Sequence, residues 1–355
     1  MKHGRSSSHH RHHKHRGAGY WFRKHRKFAA ACALIVVVFF GAAGAWVYHT
    51  QKLQESRNVT AGVNVDMGSG YRNITYNGKN YQYNSLITTV LYAGVDSQGE
   101  MTVNERYASA PRADSVSLIV LDKKHKKMTI IALNRDTMTE VRRYTMNGTD
   151  RGTYVTHLGY AYAYGDGGKV SCENLKEAVS ELLGGIPINE YAVTNQSSMV
   201  YINDLAGGIT LEVPNNDLAD LYPEMTEGAR VTLDDTNVAD FLHYRDTEVD
   251  YSNEGRIERQ QAYVTEYVAK MKEKLKEDAN GIWDQIGDME NYLQTSITRN
   301  KYLKLVNLLD TVEFTDEDYY RPEGEDQLGE EHDEFYVDEE ALREKIIELF
   351  YLEVA

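Results

Sequence analysis

A long apolar run near the start of the chain separates two regions of different polarity. Residues 28–48 are 21 consecutive uncharged, mostly apolar positions, enough at about 1.5 Å per residue to cross a hydrocarbon core of roughly 30 Å. The basic residues at 23–27 place the N-terminus in the cytoplasm and the rest of the chain outside. A cleaved signal ending near Ala43-Gly44-Ala45 is the alternative, but its apolar part would span only roughly 7–15 residues. We therefore expect a single-pass membrane anchor.

Short β-branched runs and amphipathic helical patterns alternate from residue 86 onward. The charged turn at 122–127 joins two strand-like runs and predicts an antiparallel hairpin. The mixture predicts one sheet flanked by helices. The expected strands are Ile87–Val95, Val116–Leu121, Met128–Leu133, Tyr191–Val193, Ile209–Val213 and Phe335–Val337. The expected helices begin at Ser171 and end at Gly184-Gly185, run from about Glu254 to Lys276 with Ile257, Val264, Val268, Met271 and Leu275 facing inward, and follow a cap at Asp338.

Composition divides the chain further. Residues 1–27 carry nine Lys or Arg and no acid, whereas the remainder carries 30 basic and 54 acidic residues, a net charge of −24. This acidity argues against non-specific nucleic-acid binding and confines any polyanion site to a local cleft. Cys32 and Cys172 would lie in different compartments and cannot pair, and Cys172 is expected to be a buried or idle thiol.

The expected regions are a basic tail (1–27), a transmembrane helix (28–48), a stalk or peripheral segment (49–82), a main domain (83–280) and an acidic C-terminal extension that packs on it (281–355).

The predicted hairpin allows a geometric argument. If Asp122 pairs with Lys127, then Asp114 faces Arg135 at the open end, with Cβ atoms about 5 Å apart. Arg112 and Asp136 flank this pair. An ordinary surface salt bridge between Asp114 and Arg135 is an equally good interpretation at this point.

A second carboxylate ends the strand Ile87–Val95. Asp96 stands where a cleft above a sheet binds its ligands. Together with Asp114 it would suit Mg²⁺, which takes one or two protein carboxylates, waters and phosphate oxygens. Arginines beside such an ion can hold a diphosphate bidentately.

The opening of the long helix predicts an anion site. Arg256 and Gln260 share one face near the helix N-terminus, where the dipole and free N–H groups favour phosphate. The alternative is that Arg256 and Arg259 only pair with Glu254 or Glu258 on the surface. A further segment, 157–165, places a histidine before alternating tyrosines, which are more often core and edge packing than a sugar platform.

In combination these segments resemble the LytR-CpsA-Psr family, in family order over about residues 86–275. The matching motifs are Leu91-Tyr92-Ala93-Gly94-Val95-Asp96, Arg112-Ala113-Asp114-Ser115, Asn134-Arg135-Asp136-Thr137, His157 to Gly165, Gly184-Gly185-Ile186-Pro187-Ile188, Asp204-Leu205-Ala206-Gly207-Gly208-Ile209, and Gly255-Arg256-Ile257-Glu258-Arg259-Gln260-Gln261.

The resemblance implies a three-layer α/β/α catalytic domain with a central mixed β-sheet, on the extracellular side of the cell membrane. Its expected activity is Mg²⁺-dependent (or Mn²⁺-dependent) transfer of a glycopolymer, such as teichoic acid or capsular polysaccharide, from a polyprenyl diphosphate carrier to a muramic acid hydroxyl of peptidoglycan. An apolar pocket between sheet and helices would take the lipid tail. The implied metal ligands are Asp96 and Asp114, and the implied catalytic residues are Asp96, Asp114, Arg135 and Arg256. The implied diphosphate-binding residues are Arg112, Arg135, His157, His243, Arg245, Arg256 and Gln260.

The sequence departs from the family pattern at three positions. His243 stands where many members have Arg, His157 where many have Lys, and Asn253 where many have Asp. Each change weakens fixed charge near the phosphates, and the two histidines would add a pH dependence. Two alternative functions stay open: a pyrophosphate hydrolase using the same cleft, and a non-catalytic sensor that binds polyprenyl phosphate or wall polymer.

Overall fold

The computed structural model describes residues 67, 70–244, 252–329 and 333–354, without the side chains of 252–254. The predicted tail and transmembrane helix, as well as Arg245, lie outside the described residues. Within the described residues, none of the helices combines the length and the apolar character needed to cross a bilayer.

Fifteen strands and seven α-helices are formed by the described residues. The strands are β1 (Asn73–Tyr76), β2 (Lys79–Tyr83), β3 (Ile87–Val95), β4 (Ala113–Asp122), β5 (Lys127–Leu133), β6 (Met138–Tyr144), β7 (Asp150–His157), β8 (Glu190–Asn195), β9 (Ile209–Glu212), β10 (Arg230–Leu233), β11 (Leu293–Thr295), β12 (Tyr319–Tyr320), β13 (Gly324–Leu328), β14 (Asp333–Val337) and β15 (Tyr351–Val354). The helices are α1 (Tyr160–Ala163), α2 (Lys169–Leu182), α3 (Ser198–Ala206), α4 (Val238–His243), α5 (Ser252–Ile286), α6 (Arg299–Leu309) and α7 (Glu339–Phe350).

A six-stranded mixed sheet forms the centre of the molecule, in the order β11-β8-β3-β4-β5-β12. The pairs β3–β8 and β5–β12 are parallel, and the others are antiparallel. The β4–β5 hairpin pairs Asp122 with Lys127, so its predicted register is confirmed. The expected central mixed sheet is present.

Helices cover both faces of this sheet because successive strand residues point to opposite sides. Val90 and Ile119 pack with α3, α4, α5 and α6 on one face. Leu91 and Leu118 pack with α1, α2 and α7 on the other. Both faces are therefore buried, which explains why the central strands appear in the sequence as nearly continuous apolar runs.

The long helix differs from its predicted form. It continues to Ile286 with a non-helical residue at Asp278, and so passes through residue 280, where the sequence analysis placed the end of the main domain. Val268, Met271 and Leu275 are buried as expected. However, Ile257 and Val264 are only half-buried, because the buried stripe instead runs through Arg256, Arg259, Tyr263 and Tyr267.

The C-terminal extension is joined to the rest of the fold at several places. It supplies β11 and β12 to the central sheet, and β15 pairs with β2 in a separate three-stranded sheet. The β1–β2 hairpin lies in the segment predicted to be a stalk, and its turn uses Asn77 and Gly78 with φ of 49° and 76°, the left-handed conformation typical of Asn-Gly hairpins. Asp338 caps α7 by accepting the N–H groups of Glu340 and Ala341, as predicted.

Candidate active site

A β-bulge at the start of β4 directs Asp114 into the site. Gly94 pairs with Ser115 and Val95 with Ala113, so Asp114 is the extra residue of this strand. Bulges of this kind re-aim a side chain next to functional sites. Asp114 Oδ1 accepts a hydrogen bond from Arg135 Nη1, and the two side chains are only 16% and 24% exposed. The predicted pair therefore exists, and it is not an ordinary surface salt bridge.

Asp96 reaches the same place from the neighbouring strand. Strands β3 and β8 are parallel, so their carboxyl ends meet at one edge of the sheet. Gln196, which follows β8, donates a hydrogen bond from Nε2 to Asp96 Oδ1 at 2.8 Å. The same amide nitrogen lies 2.9 Å from His243 Nε2. His243 Nε2 in turn lies 3.7 Å from Asp114 Oδ2.

The segment that carries His243 is held by a buried arginine. Arg259 is fully buried and donates to the carbonyl oxygens of Phe241 at 2.9 Å and Tyr244 at 2.5 Å. It also pairs with Asp217 at 2.5 Å. Gln260 Nε2 donates to the Leu242 carbonyl oxygen at 2.9 Å. These bonds fix the end of α4 against the first turns of α5.

Burial also settles the earlier alternative for the two arginines of this helix. Arg256 is 9% exposed and Arg259 is 0% exposed. Neither arginine is therefore an exposed member of a simple surface pair. Glu258 instead accepts a hydrogen bond from Asn215.

His157 and Arg112 lie on the other side of the Asp114–Arg135 pair. Arg112 donates to the Tyr160 hydroxyl at 3.2 Å, and its guanidinium lies 5.2 Å from the centre of that ring. The His157 ring stacks on the same Tyr160 ring, with the two ring centroids 5.6 Å apart. Arg112 and His157 line a small cavity of about 10 Å³ together with Asp114 and Arg135.

Gly159 permits this close arrangement. A Cβ at this position would lie 2.7 Å from the Ala113 carbonyl oxygen, which is closer than real contacts allow. Its N–H donates to the Arg135 carbonyl oxygen at 2.8 Å, and its own carbonyl accepts from Ala113 at 3.0 Å. The glycine thus lets the chain before α1 join the two segments that carry Asp114 and Arg135.

A larger cavity of about 440 Å³ opens between the sheet and the first turns of α5, within the range of roughly 300–1,000 Å³ typical of ligand pockets. Its lining mixes polar and apolar side chains. One wall comes from β4, β5, the loop after β5 and α5, and the other from the C-terminal extension. The lining residues that carry charged or amide side chains are Asp114, Asn134, Arg135, Arg256, Gln260, Arg321, Glu323 and Asp326, and the large apolar or aromatic ones are Val116, Leu133, Ile257, Tyr319 and Phe335.

The charges in this site are interdependent. Burial of Asp114 alone raises the pKa of its carboxyl, but contact with His243 and the charge of Arg135 outweigh burial, and the net pKa lies below the ordinary value. Burial likewise lowers the pKa of Arg135, while the charges of Asp114 and Asp136 raise it above the ordinary value overall. Both groups are therefore ionised at neutral pH.

Three residues of the site were missed in the sequence. Gln196 follows a strand parallel to β3, and its position at that strand's carboxyl end was the available signal. Arg259 stood within a quoted motif but was interpreted as a surface residue. Arg321 lies in the acidic extension, and no local pattern connects it with a cavity.

The donor set fits a divalent cation. Asp96, Asp114 and His243 each offer one ligand atom, and these atoms lie within 4.8 Å of one another. Two carboxylates at a strand edge beside several arginines suit a cation that bridges protein and phosphate oxygens.

Comparison with known proteins identifies the family of this chain. The LytR_cpsA_psr family model matches residues 46–344 of the chain. The chain belongs to the LytR-CpsA-Psr family. The predicted resemblance is thereby confirmed, and the motif positions quoted above fall within the matched segment.

Relatives within this family include enzymes of the cell wall. The polyisoprenyl-teichoic acid--peptidoglycan teichoic acid transferase TagU of Bacillus cereus is 32% identical over 130 residues, which are 37% of this chain and 34% of that protein. Biofilm regulatory protein A of Streptococcus mutans is 25% identical over 206 residues, 56% of this chain and 47% of that protein. The matched segments thus span about a third and about half of these relatives.

Solved structures share the fold of this LytR-CpsA-Psr protein. TagV of Bacillus subtilis superposes with a TM-score of 0.53 at 21% identity, over 74% of this chain and 96% of that structure. The protein gbs0355 of Streptococcus agalactiae gives a TM-score of 0.55 at 22% identity, over 74% and 87%. These similarities confirm a mixed α/β fold.

Proposed function

We propose that this LytR-CpsA-Psr protein is a phosphotransferase that moves a glycopolymer from a polyprenyl diphosphate carrier to peptidoglycan during cell envelope biogenesis. One observation carries the proposal: Asp114, Arg135, Arg256 and Gln260 line a single cavity, and Asp96 lies beside Asp114. The TagU relative is named as a transferase of teichoic acid to peptidoglycan. Teichoic acid, capsular polysaccharide or a related polymer is accordingly the proposed cargo.

Fixed cations hold the diphosphate in this proposal. Arg135 and Arg256 face the large cavity, with Gln260 one turn beyond Arg256. Arg112 and His157 act from the adjoining small cavity. Guanidinium groups bind phosphate oxygens bidentately, and their positions are set in advance by protein contacts, so little reorganisation accompanies the reaction. Arg245 and His243 belong to the same proposed set.

Asp96 and Asp114 would hold the divalent cation. When bound, the cation neutralises charge that develops on the phosphate oxygens. Asp114 is committed through Oδ1 to Arg135, and its lowered pKa makes it a poor proton acceptor. Asp96 is exposed and is therefore the better acceptor for the proton of the attacking hydroxyl. The new P–O bond joins polymer and wall, and polyprenyl phosphate leaves.

The proposed location follows from the sequence. Residues 28–48 would anchor the chain in the cell membrane with a cytoplasmic N-terminus and an extracellular catalytic domain. The donor's lipid would then lie in the same bilayer. The mixed lining of the large cavity offers Val116, Leu133 and Phe335 to the first isoprene units, with the charged groups at the diphosphate.

The test is transfer by the purified full-length chain in detergent, with a polyprenyl diphosphate-linked polymer, peptidoglycan and Mg²⁺. We expect a polymer-to-wall phosphodiester and release of polyprenyl phosphate. Asp114→Asn and Arg135→Gln should each lower kcat by about 10²–10³-fold. Arg230→Gln, at an exposed position of β10, is the matched control and should be unchanged.

Two outcomes would overturn the proposal. Release of polyprenyl phosphate without formation of the phosphodiester would identify a hydrolase. Tight donor binding without turnover, insensitive to chelation, would identify a binding protein.

A further inference from the structure

The proposed metal site contains a histidine in addition to its two carboxylates. His243 Nε2 is 3.7 Å from Asp114 Oδ2, and one ligand atom each from Asp96, Asp114 and His243 falls within a span of 4.8 Å. Metal–ligand bonds to nitrogen and oxygen are about 2.0–2.2 Å long, so two ligands of one ion can lie up to about 4.4 Å apart. Movements of a few tenths of an ångström by these three side chains, together with displacement of the neighbouring Gln196 amide, would bring all three atoms onto one ion.

The second oxygen of Asp114 is oriented for this role. Oδ1 is paired with Arg135, whereas Oδ2 faces His243. A carboxylate can bind a guanidinium through one oxygen and a metal through the other. The guanidinium then orients the ligand in the manner of the supporting groups found around metal sites.

Gln196 shows independently that the ligand atoms converge. Its amide nitrogen lies 2.8 Å from Asp96 Oδ1 and 2.9 Å from His243 Nε2. In the tautomer whose Nε2 carries no hydrogen, this NH₂ group donates toward both atoms, and a bound cation would take its place after the Gln196 side chain moves aside. Asp96 and His243 thus direct their lone pairs to a common point.

The backbone that carries the imidazole is also fixed in position. Arg259 binds the carbonyl oxygens of Phe241 and Tyr244 on either side of it, and the Phe241 side chain is fully buried. The His243 side chain is nevertheless 43% exposed, so water and phosphate oxygens can complete the coordination.

Ligand chemistry then decides which metal binds. Carboxylates and water suit Mg²⁺, whereas an imidazole favours first-row transition ions, whose affinities rise along the series from Mn²⁺ to Cu²⁺. We propose that His243 is a third metal ligand and that the site binds a transition dication such as Mn²⁺ in preference to Mg²⁺. The inference rests on the metal site of the proposed function. It makes His243 a ligand of the metal in place of a direct ligand of the diphosphate, and it selects Mn²⁺ over Mg²⁺.

The experiment uses the full-length chain in detergent, with the seven histidines that precede Arg26 replaced by serine in every sample so that the tail binds no metal. MnCl₂ and MgCl₂ are titrated separately by calorimetry, and bound Mn²⁺ is examined by pulsed electron paramagnetic resonance for coupling to a ¹⁴N nucleus. We expect Mn²⁺ to bind at least tenfold more tightly than Mg²⁺, with a ¹⁴N coupling.

Variants separate the ligands. His243→Gln and His243→Arg should remove the ¹⁴N coupling and most of the preference for Mn²⁺, while Asp96→Asn should weaken both ions. His125→Gln is the matched control, because His125 is an exposed imidazole beside Asp122 in the β4–β5 turn, and it should change nothing.

Equal affinities for Mn²⁺ and Mg²⁺, or a ¹⁴N coupling that persists in both His243 variants, would overturn the inference. Its failure is distinguishable from failure of the proposed function. Polymer transfer supported by Mg²⁺ with no nitrogen ligand would leave the function standing, and a His243-dependent Mn²⁺ site in a protein without transfer would leave the inference standing.

Discussion

Arg259 should be one of the most costly residues of this domain to replace. Its side chain is fully buried, and burial lowers its pKa from the ordinary value. It supplies the hydrogen bonds of two backbone carbonyls, at Phe241 and Tyr244, and pairs with Asp217. We choose Arg259→Met because methionine retains much of the volume and removes every donor.

The size of the effect follows from these contacts. Each carbonyl left without a donor costs about 1–3 kcal/mol. Asp217 is 39% exposed, so water can replace its partner and its loss adds little. The methionine side chain recovers part of the difference by apolar burial. The two carbonyl penalties, less this recovery, should lower the free energy of unfolding by about 2–5 kcal/mol.

Urea unfolding followed by circular dichroism measures this change. Arg230→Met, at an exposed arginine of β10, is the matched control and should stay within about 0.5 kcal/mol of the parent. Because the two carbonyls flank His243, Arg259→Met should also weaken Mn²⁺ binding under conditions where the domain is still folded. A loss of less than about 1 kcal/mol, equal to that of the control, would refute the reasoning.

Two further predictions concern titratable groups. Because the folded-state pKa of Asp114 lies below its ordinary value of 3.8, its stabilising interactions are complete above that pH and are lost as pH falls through the folded-state pKa. The difference in unfolding free energy between the parent and Asp114→Asn, measured by urea unfolding in EDTA, should be constant from about pH 7 to 5 and shrink below about pH 4; a difference independent of pH would contradict this. Burial raises the pKa of the Cys172 thiol well above its usual range, so in a Cys32→Ser chain iodoacetamide should label Cys172 only as fast as the domain unfolds. Rapid labelling of the native protein would show that the thiol is accessible.

Local patterns in the sequence predicted the part of the site that a single hairpin determines. The β-branched runs locate β3, β4 and β5, and the charged turn fixes the register in which Asp122 faces Lys127. That register brings the chain at Asp114 close to Arg135, two residues beyond the last paired residues, Val116 and Leu133. The β-bulge, which the sequence did not reveal, then directs the Asp114 side chain. Burial on both faces makes a slip of one residue costly, since it would turn every apolar side chain to the opposite side.

Local sequence patterns could not predict the contacts between distant segments. Arg259 finds its partners 15 to 44 residues earlier in the chain, and charged residues are seldom fully buried, so a surface position was the natural interpretation. Gln196 meets Asp96 only because β8 returns parallel to β3. The β1–β2 hairpin was not predicted for a different reason. Its Asn77-Gly78 turn is visible in the sequence, but its strands have too few apolar residues to predict a packed sheet.

The late position of the cavity's outer wall in the chain has a consequence for biogenesis. Tyr319, Arg321 and Phe335 form this wall, and the Phe335 N–H also bonds to the Asp136 carbonyl oxygen, next to Arg135. A nascent polypeptide that has emerged only as far as residue 310 can contain β3, β4, β5 and α5, but its pocket stays open to solvent along one side. The pocket is therefore closed only by a segment that leaves the ribosome after all of the other residues that line it.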